Sequence, residues 1–252
     1  MNVDQNADVG ESFGPYVLGQ DPALMRHVTS VNVACGFHAG DPHVMRRTVQ
    51  LARECGVTIG AHPGFPDLGG FGRRAMSLTP SEIEDIVVYQ VGALAAMATV
   101  CGTRIRHVKP HGALYNLAAM DPASAAAVAR AVATVDSQLM LVGLAGSHLI
   151  TAGRDAGLQT ASEVFADRDY DDDGRLLARQ MEGAVIHDLD VVRQRAVWMV
   201  QSRAVPTRSG GRLLHDVDTI CIHGDTEGAP ELARSVREAL TGAGVTVGSL
   251  AS

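Results

Sequence analysis

Short apolar runs that end in glycine and polar residues alternate with helix-length segments along the whole 252-residue chain. That alternation leaves few folds open, because parallel strands joined by helical crossovers need a closed or doubly wound sheet. The runs place strands at about 3–8, 30–36, 57–62, 105–110, 139–143, 160–166 and 218–223. Helix starts stand between them. Asp21-Pro22, Asp41-Pro42 and Asp121-Pro122 each put a capping carboxylate before a proline suited to the first helical turn. Thr79-Pro80-Ser81-Glu82 has the spacing of a capping box, and Ser147 is placed to cap a further helix. Gly56 and Gly102 read as helix ends. Residues 205–215, with Gly210-Gly211 inside, read as a hairpin, and 245–247 as a terminal strand. Seven strands over this length, with no linker or repeat, predict one α/β domain spanning 1–252, a parallel (β/α) barrel of seven strands. No G-x-G-x-x-G follows the first strand and no P-loop occurs.

The polar residues fall where such a barrel carries its site, at the C-terminal ends of the strands. His107-Val108-Lys109-Pro110-His111-Gly112 holds the single lysine among 21 basic residues. In an extended chain His107, Lys109 and His111 share a face, as do Asp4, Asn6 and Asp8, and Glu163, Phe165 and Asp167. His38, His62 and His223 likewise stand beside glycine at the ends of apolar runs. Any one of these is ordinarily a satisfied core histidine or a solvated edge. Recurrence at four strand ends points to one polar mouth. Arg73 and Arg74, in a glycine- and proline-rich loop, are candidates to close on an anion. Asp169, Asp171, Asp173 and Gly174 copy the first half of a calcium loop, but Gln180 stands where a bidentate Glu belongs, which excludes calcium.

Composition excludes several functions. A net charge of −7 without a basic patch argues against nucleic acid, and 4% aromatics against stacking platforms for sugars. No apolar run reaches the length of a membrane span, and the N-terminus lacks a signal-peptide pattern, so no membrane partner is expected. Cys35, Cys55, Cys101 and Cys221 form no C-x-x-C pair and read as reduced thiols of a cytoplasmic protein.

Seven blocks, in order and covering nearly the whole chain, resemble the LamB/YcsF family. They are Asp4-x-Asn6-Ala7-Asp8-x-Gly10-Glu11-Ser12-Phe13-Gly14, Asn32-x-Ala34-Cys35-Gly36-Phe37-His38-Ala39-Gly40-Asp41-Pro42, Gly60-Ala61-His62-Pro63-Gly64 and Gly70-Phe71-Gly72-Arg73-Arg74. His107 to Asn116, Glu163 to Arg168 and Cys221-x-His223-Gly224-Asp225-Thr226 complete the set. The resemblance implies a seven-stranded barrel of the glycoside hydrolase/deacetylase type. It also implies ATP-dependent opening of the lactam 5-oxo-L-proline to L-glutamate, in concert with partner subunits B and C. Homo-oligomerisation is left open. Gln5, where the family usually has an aliphatic residue, should lie on the face opposite Asp4, Asn6 and Asp8 and affect packing.

Lactam opening needs cations for phosphates and a base for water. The resemblance makes Asp8 the first choice of base, with Lys109 on the phosphates and His111, Asp4 and Asn6 in the catalytic group. Arg73, Arg74, Asp167, Arg168, His223 and Asp225 are the expected substrate- or phosphate-binding residues. Analogy with Asp-His-His deacetylases offers His38, His62 and Asp8, or His111, as ligands of a divalent metal, besides magnesium arriving with ATP. Lys109→Arg is expected to keep the fold and lose turnover. Two rivals remain: a metal-dependent amide or N-acetyl hydrolase that needs no ATP, and a non-catalytic lactam-binding subunit.

Overall fold

The computed structural model describes residues 1–224 and 228–250. Among them, seven parallel strands close into a barrel: β1 (Asn2–Val9), β2 (Ser30–Ala34), β3 (Thr58–His62), β4 (His107–Val108), β5 (Met140–Leu144), β6 (Thr160–Val164) and β9 (Thr219–Ile222). β9 closes the ring by pairing with both β6 and β1. β10 (Thr246–Val247) extends the sheet beside the start of β1. β7 (Ala204–Pro206) and β8 (Arg212–Leu214) form the expected hairpin outside it.

Helices α1 (Asp21–Leu24), α2 (Pro42–Cys55), α3 (Pro80–Val100), α4 (Gly112–Met120), α5 (Pro122–Val135), α6 (His148–Asp155), α7 (Leu189–Ser202) and α8 (Ala229–Gly242) connect the strands. Their starts follow local chemistry. Asp41 accepts from the amides of His43 and Val44, Asp121 from that of Ser124, and Thr79 and Glu82 form a complete capping box. Two expected caps differ. Asp21 lies inside α1 and its carboxylate accepts from Gly10 N–H, bracing the loop after β1. Ser147 occupies the cap position of α6 but its hydroxyl makes no capping bond.

α3 is, among the described residues, the one helix long and apolar enough to cross a membrane. Here it lies along the barrel, burying Ile83, Val87, Val91, Leu94 and Ala98 at helical spacing.

The apolar core sits between barrel and helices, so the outward face of β1 is Val3, Gln5, Ala7 and Val9. Gln5 is fully buried there and donates to the carbonyls of Ala233 and His27, on the face the sequence assigns it. The interior of the barrel is polar instead. Asp4, Asn6, Asp8, Ser30, Asn32, His107, Lys109, Glu163 and Thr219 are all buried, and burial of so many polar groups is tolerable only in a saturated network.

Candidate active site

The barrel interior is built in layers by strand register. Asp4 pairs across with Thr219, and the next layer brings Asn6 beside Cys221. Above them Asp8, Asn32, Gly60 and His107 stand in line on β1 to β4. A Cβ at Gly60 would collide with the His107 ring, so glycine there gives the imidazole room to cross the barrel. His107 Nε2–H donates to Asn32 Oδ1 at 2.8 Å, and burial pushes its pKa down to about 3.

Asp4 is sealed at the bottom. It accepts from the hydroxyls of Thr29, Ser30 and Thr219, and burial raises its pKa despite them. Asn6 donates to Glu163 and Thr219 and accepts from Asn32. Neither residue lines the cavity. The catalytic assignment of Asp4 and Asn6 is therefore corrected: they hold the groups above them.

Lys109 is the hub. The residue is 2% exposed, and its ammonium has Asp8 Oδ1 and Glu163 Oε1 at 2.9 Å, Cys221 Sγ at 3.0 Å and Asn6 Oδ1 at 3.2 Å. Burial alone would strip its proton, but Asp8, Cys221 and Glu163 together hold its pKa well above the usual value. Three N–H groups facing four acceptors leave none to reach a phosphate. The sequence-based assignment of Lys109 to phosphate gives way to a positioning role. Burial likewise pushes Asp8 toward neutrality, yet His62 and Lys109 hold its carboxyl well below the ordinary range. Asp8 Oδ1 is fixed by Lys109 and by Asn32 Nδ2, both at 2.9 Å. That leaves Oδ2, 3.4 Å from His62 Nε2, as the oxygen available for chemistry.

A cavity of about 250 Å³ opens above this hub, lined by Asp8, His62, Lys109, His111, Tyr115, Phe165 and His223 among others. The segment after β6 roofs it with Leu176, Leu177, Ala178 and Arg179. Arg168 lines the cavity too, but its guanidinium donates to the carbonyls of Ala184 and Leu177, holding that roof in place. His223 Nδ1 lies 3.0 Å from Asp167 Oδ2. Arg73 lines the mouth, whereas Arg74 turns away and pairs with Asp67 outside it, which removes Arg74 from the site. Asp225 lies outside the described residues.

His38, His62 and His111 gather on one wall. His62 Nδ1 is 2.7 Å from the Lys109 carbonyl, His111 Nε2 is 2.8 Å from that of Phe71, and His62 Nε2 and His111 Nδ1 stand 3.0 Å apart. His38 stacks on His111 with ring centroids 3.9 Å apart, and burial drives the pKa of both well down. Of the expected metal ligands, His38, His62 and the alternative His111 cluster together, and Glu11 joins them with ligand atoms within 4.8 Å of one another. Asp8 instead clusters with Cys221 and His223, and the Lys109 ammonium between Asp8 and Cys221 repels a cation from that position.

Glu163 and Tyr115 were not among the expected site residues. Tyr115 donates to Glu163 Oε2 at 2.8 Å, completing the carboxylate that neutralises Lys109. The place of Glu163 on one strand face with Phe165 and Asp167 was the signal for it.

A model of the LamB/YcsF family matches residues 3–252. A protein of Gluconobacter oxydans, named as the A subunit of 5-oxoprolinase, is 53% identical over 248 residues, 98% of each chain. One of the same name from Geobacillus kaustophilus is 55% identical over 245 residues, 97% of this chain and 95% of that one. The crystal structure of a lactam utilization protein from Thermus thermophilus superposes with a TM-score of 0.93 at 46% identity, covering 99% and 100% of the two chains. A putative cellobiose-phosphate cleavage protein from Enterococcus faecalis, 15% identical with a TM-score of 0.56 over 98% and 97%, shares the fold alone. With strand order, polar barrel interior and full-length similarity in agreement, the chain belongs to the LamB/YcsF family.

Proposed function

We propose that this chain is the A subunit of an ATP-dependent 5-oxoprolinase, opening 5-oxo-L-proline to L-glutamate together with subunits B and C. The observation that carries the reading is its similarity, end to end, to proteins named as the A subunit of 5-oxoprolinase. The small polar cavity with an ionised carboxylate at its floor suits a compact lactam better than a polymer.

A lactam is a resonance-stabilised amide and a poor electrophile. Transfer of the γ-phosphoryl of ATP to its oxygen makes the ring carbon reactive, with ADP leaving. Water then adds to that carbon while Asp8 Oδ2 takes its proton. The ring C–N bond breaks, the proton passes to nitrogen, and an acyl phosphate is left. A second water converts the acyl phosphate to glutamate and phosphate. Lys109 serves this sequence by keeping Asp8 ionised and aimed, and Arg73, one of the arginines lining the cavity, meets the phosphate in this reading.

The histidine wall with Glu11 favours one alternative, a metal-dependent amide hydrolase acting without ATP. Measuring ADP and glutamate from 5-oxoproline separates the two. Both products should form in equal amounts with all three subunits and neither with this chain alone. Ring opening by this chain without ATP would establish the alternative.

A further inference from the structure

His62 and His111 face each other in a way that two neutral imidazoles cannot sustain. A carbonyl oxygen only accepts, so His62 Nδ1 must carry a proton to meet the Lys109 carbonyl. By the same reasoning His111 Nε2 must carry one to meet the Phe71 carbonyl. With one proton on each ring, the inner nitrogens, His62 Nε2 and His111 Nδ1, would both be lone pairs, 3.0 Å apart in a buried wall and with Asp8 Oδ2 3.4 Å from the first. Something positive has to lie between or beside them.

Three further observations bear on what it is. His38 is wholly buried, and neither of its ring nitrogens has a hydrogen-bond partner. A Glu11 oxygen lies within 4.8 Å of ligand atoms on all three histidines. The backbone is also shaped around these rings: a Cβ at Gly64 would stand 2.7 Å from His38 Nδ1, and one at Gly72 2.8 Å from His111 Cδ2. A proton between His62 and His111 would leave both His38 nitrogens unanswered, whereas a cation bringing its own water would answer one of them.

We propose that His62 Nε2, His111 Nδ1 and the Glu11 carboxylate hold one divalent transition-metal ion, and that Asp8 is not among its ligands. Two nitrogens bound to one tetrahedral zinc ion stand about 3.3 Å apart, close to the 3.0 Å observed here. Each ligating ring already gives its other N–H to a backbone carbonyl, the arrangement that fixes tautomer and orientation in metal sites. His38 stacks on His111 with planes 4° apart, so an ion in the plane of one ring is out of the plane of the other. His38 therefore serves as hydrogen-bond partner to a water on the ion. Asp8 stays with Lys109, free to act as base.

The test uses the intact chain, stripped with chelator and titrated with Zn²⁺ by calorimetry and with Co²⁺ by visible absorption, in the absence of substrate and of other subunits. Failure here thus leaves the 5-oxoprolinase reading untouched. One equivalent should bind. Glu11→Gln and His111→Ala should each weaken binding at least tenfold, while Asp8→Asn stays within about threefold, with thermal unfolding confirming that each variant folds. If His111→Ala does not fold, His111→Gln takes its place. No binding by the folded wild-type chain would overturn the proposal and leave a shared proton as the answer. Loss of the metal in Asp8→Asn with retention in Glu11→Gln would overturn the ligand set.

Discussion

At Lys109 a single side chain carries the electrostatics of the barrel, offsetting Asp8 and Glu163 in a space nearly closed to water. Removing one partner of such a buried group costs about 3–5 kcal/mol, because the remaining charges stay buried without it. Lys109→Met should therefore lower stability by about that amount and abolish turnover. Lys109→Arg, which the sequence suggested would leave the fold intact, should also melt earlier, since a planar guanidinium does not fit among four acceptors converging on one ammonium. Thermal unfolding checks both; an arginine variant with unchanged melting and turnover would show that the interior is not saturated. His107 gives a pH dependence. Its folded pKa, about 3, lies below the unfolded value near 6.5. The unfolded chain then binds the extra proton between those values, so stability is full above about 6.5 and falls as pH drops toward 3. The slope from this group is at most about 1.4 kcal/mol per pH unit. Urea unfolding from pH 7 to 4 should show a shallower decline in His107→Gln than in wild type; identical slopes would mean that His107 does not supply it.

The segment between β6 and α7 shows how an element can act on the site without chemistry of its own. Arg168 ties it down through the carbonyls of Leu177 and Ala184. Arg168→Met should loosen the roof and raise KM for 5-oxoproline several-fold while kcat changes less. A fall in kcat at constant KM would instead place the guanidinium on the reacting atoms. Gly60→Ala should push the His107 ring off Asn32 and destabilise by about 1–3 kcal/mol, the usual cost of overpacking. Denaturant midpoints decide that. Elements with local start signals, such as Asp41-Pro42 and the Thr79–Glu82 box, were legible in the sequence because capping is a matter of adjacent residues. Helix α4 was not, since it starts at Gly112 with φ +53° and no side-chain cap, so its first residue reads as a stop. Glu163 was legible as a position on a strand face, but not as the partner of Lys109, because that pairing depends on barrel closure. For the same reason Asp4 and Asp8 look equivalent in sequence, although one is sealed under hydroxyls and the other faces the cavity.

In the whole molecule, a parallel barrel with a polar interior directs one ionised carboxylate into a small cavity, and the ATP-coupled reaction is proposed to run above it. The central claim is that Asp8, held by Lys109 and Asn32, is the base for water in lactam opening. The direct measurement is ATP-dependent glutamate formation from 5-oxoproline by the assembled three-subunit enzyme, carrying either the wild-type chain or Asp8→Asn. The amide keeps the size of the side chain but cannot take a proton, so turnover should fall by about two to four orders of magnitude, the typical contribution of a general base. Assembly with the other subunits should be retained. Turnover within about threefold of wild type in a properly assembled Asp8→Asn enzyme would contradict the account.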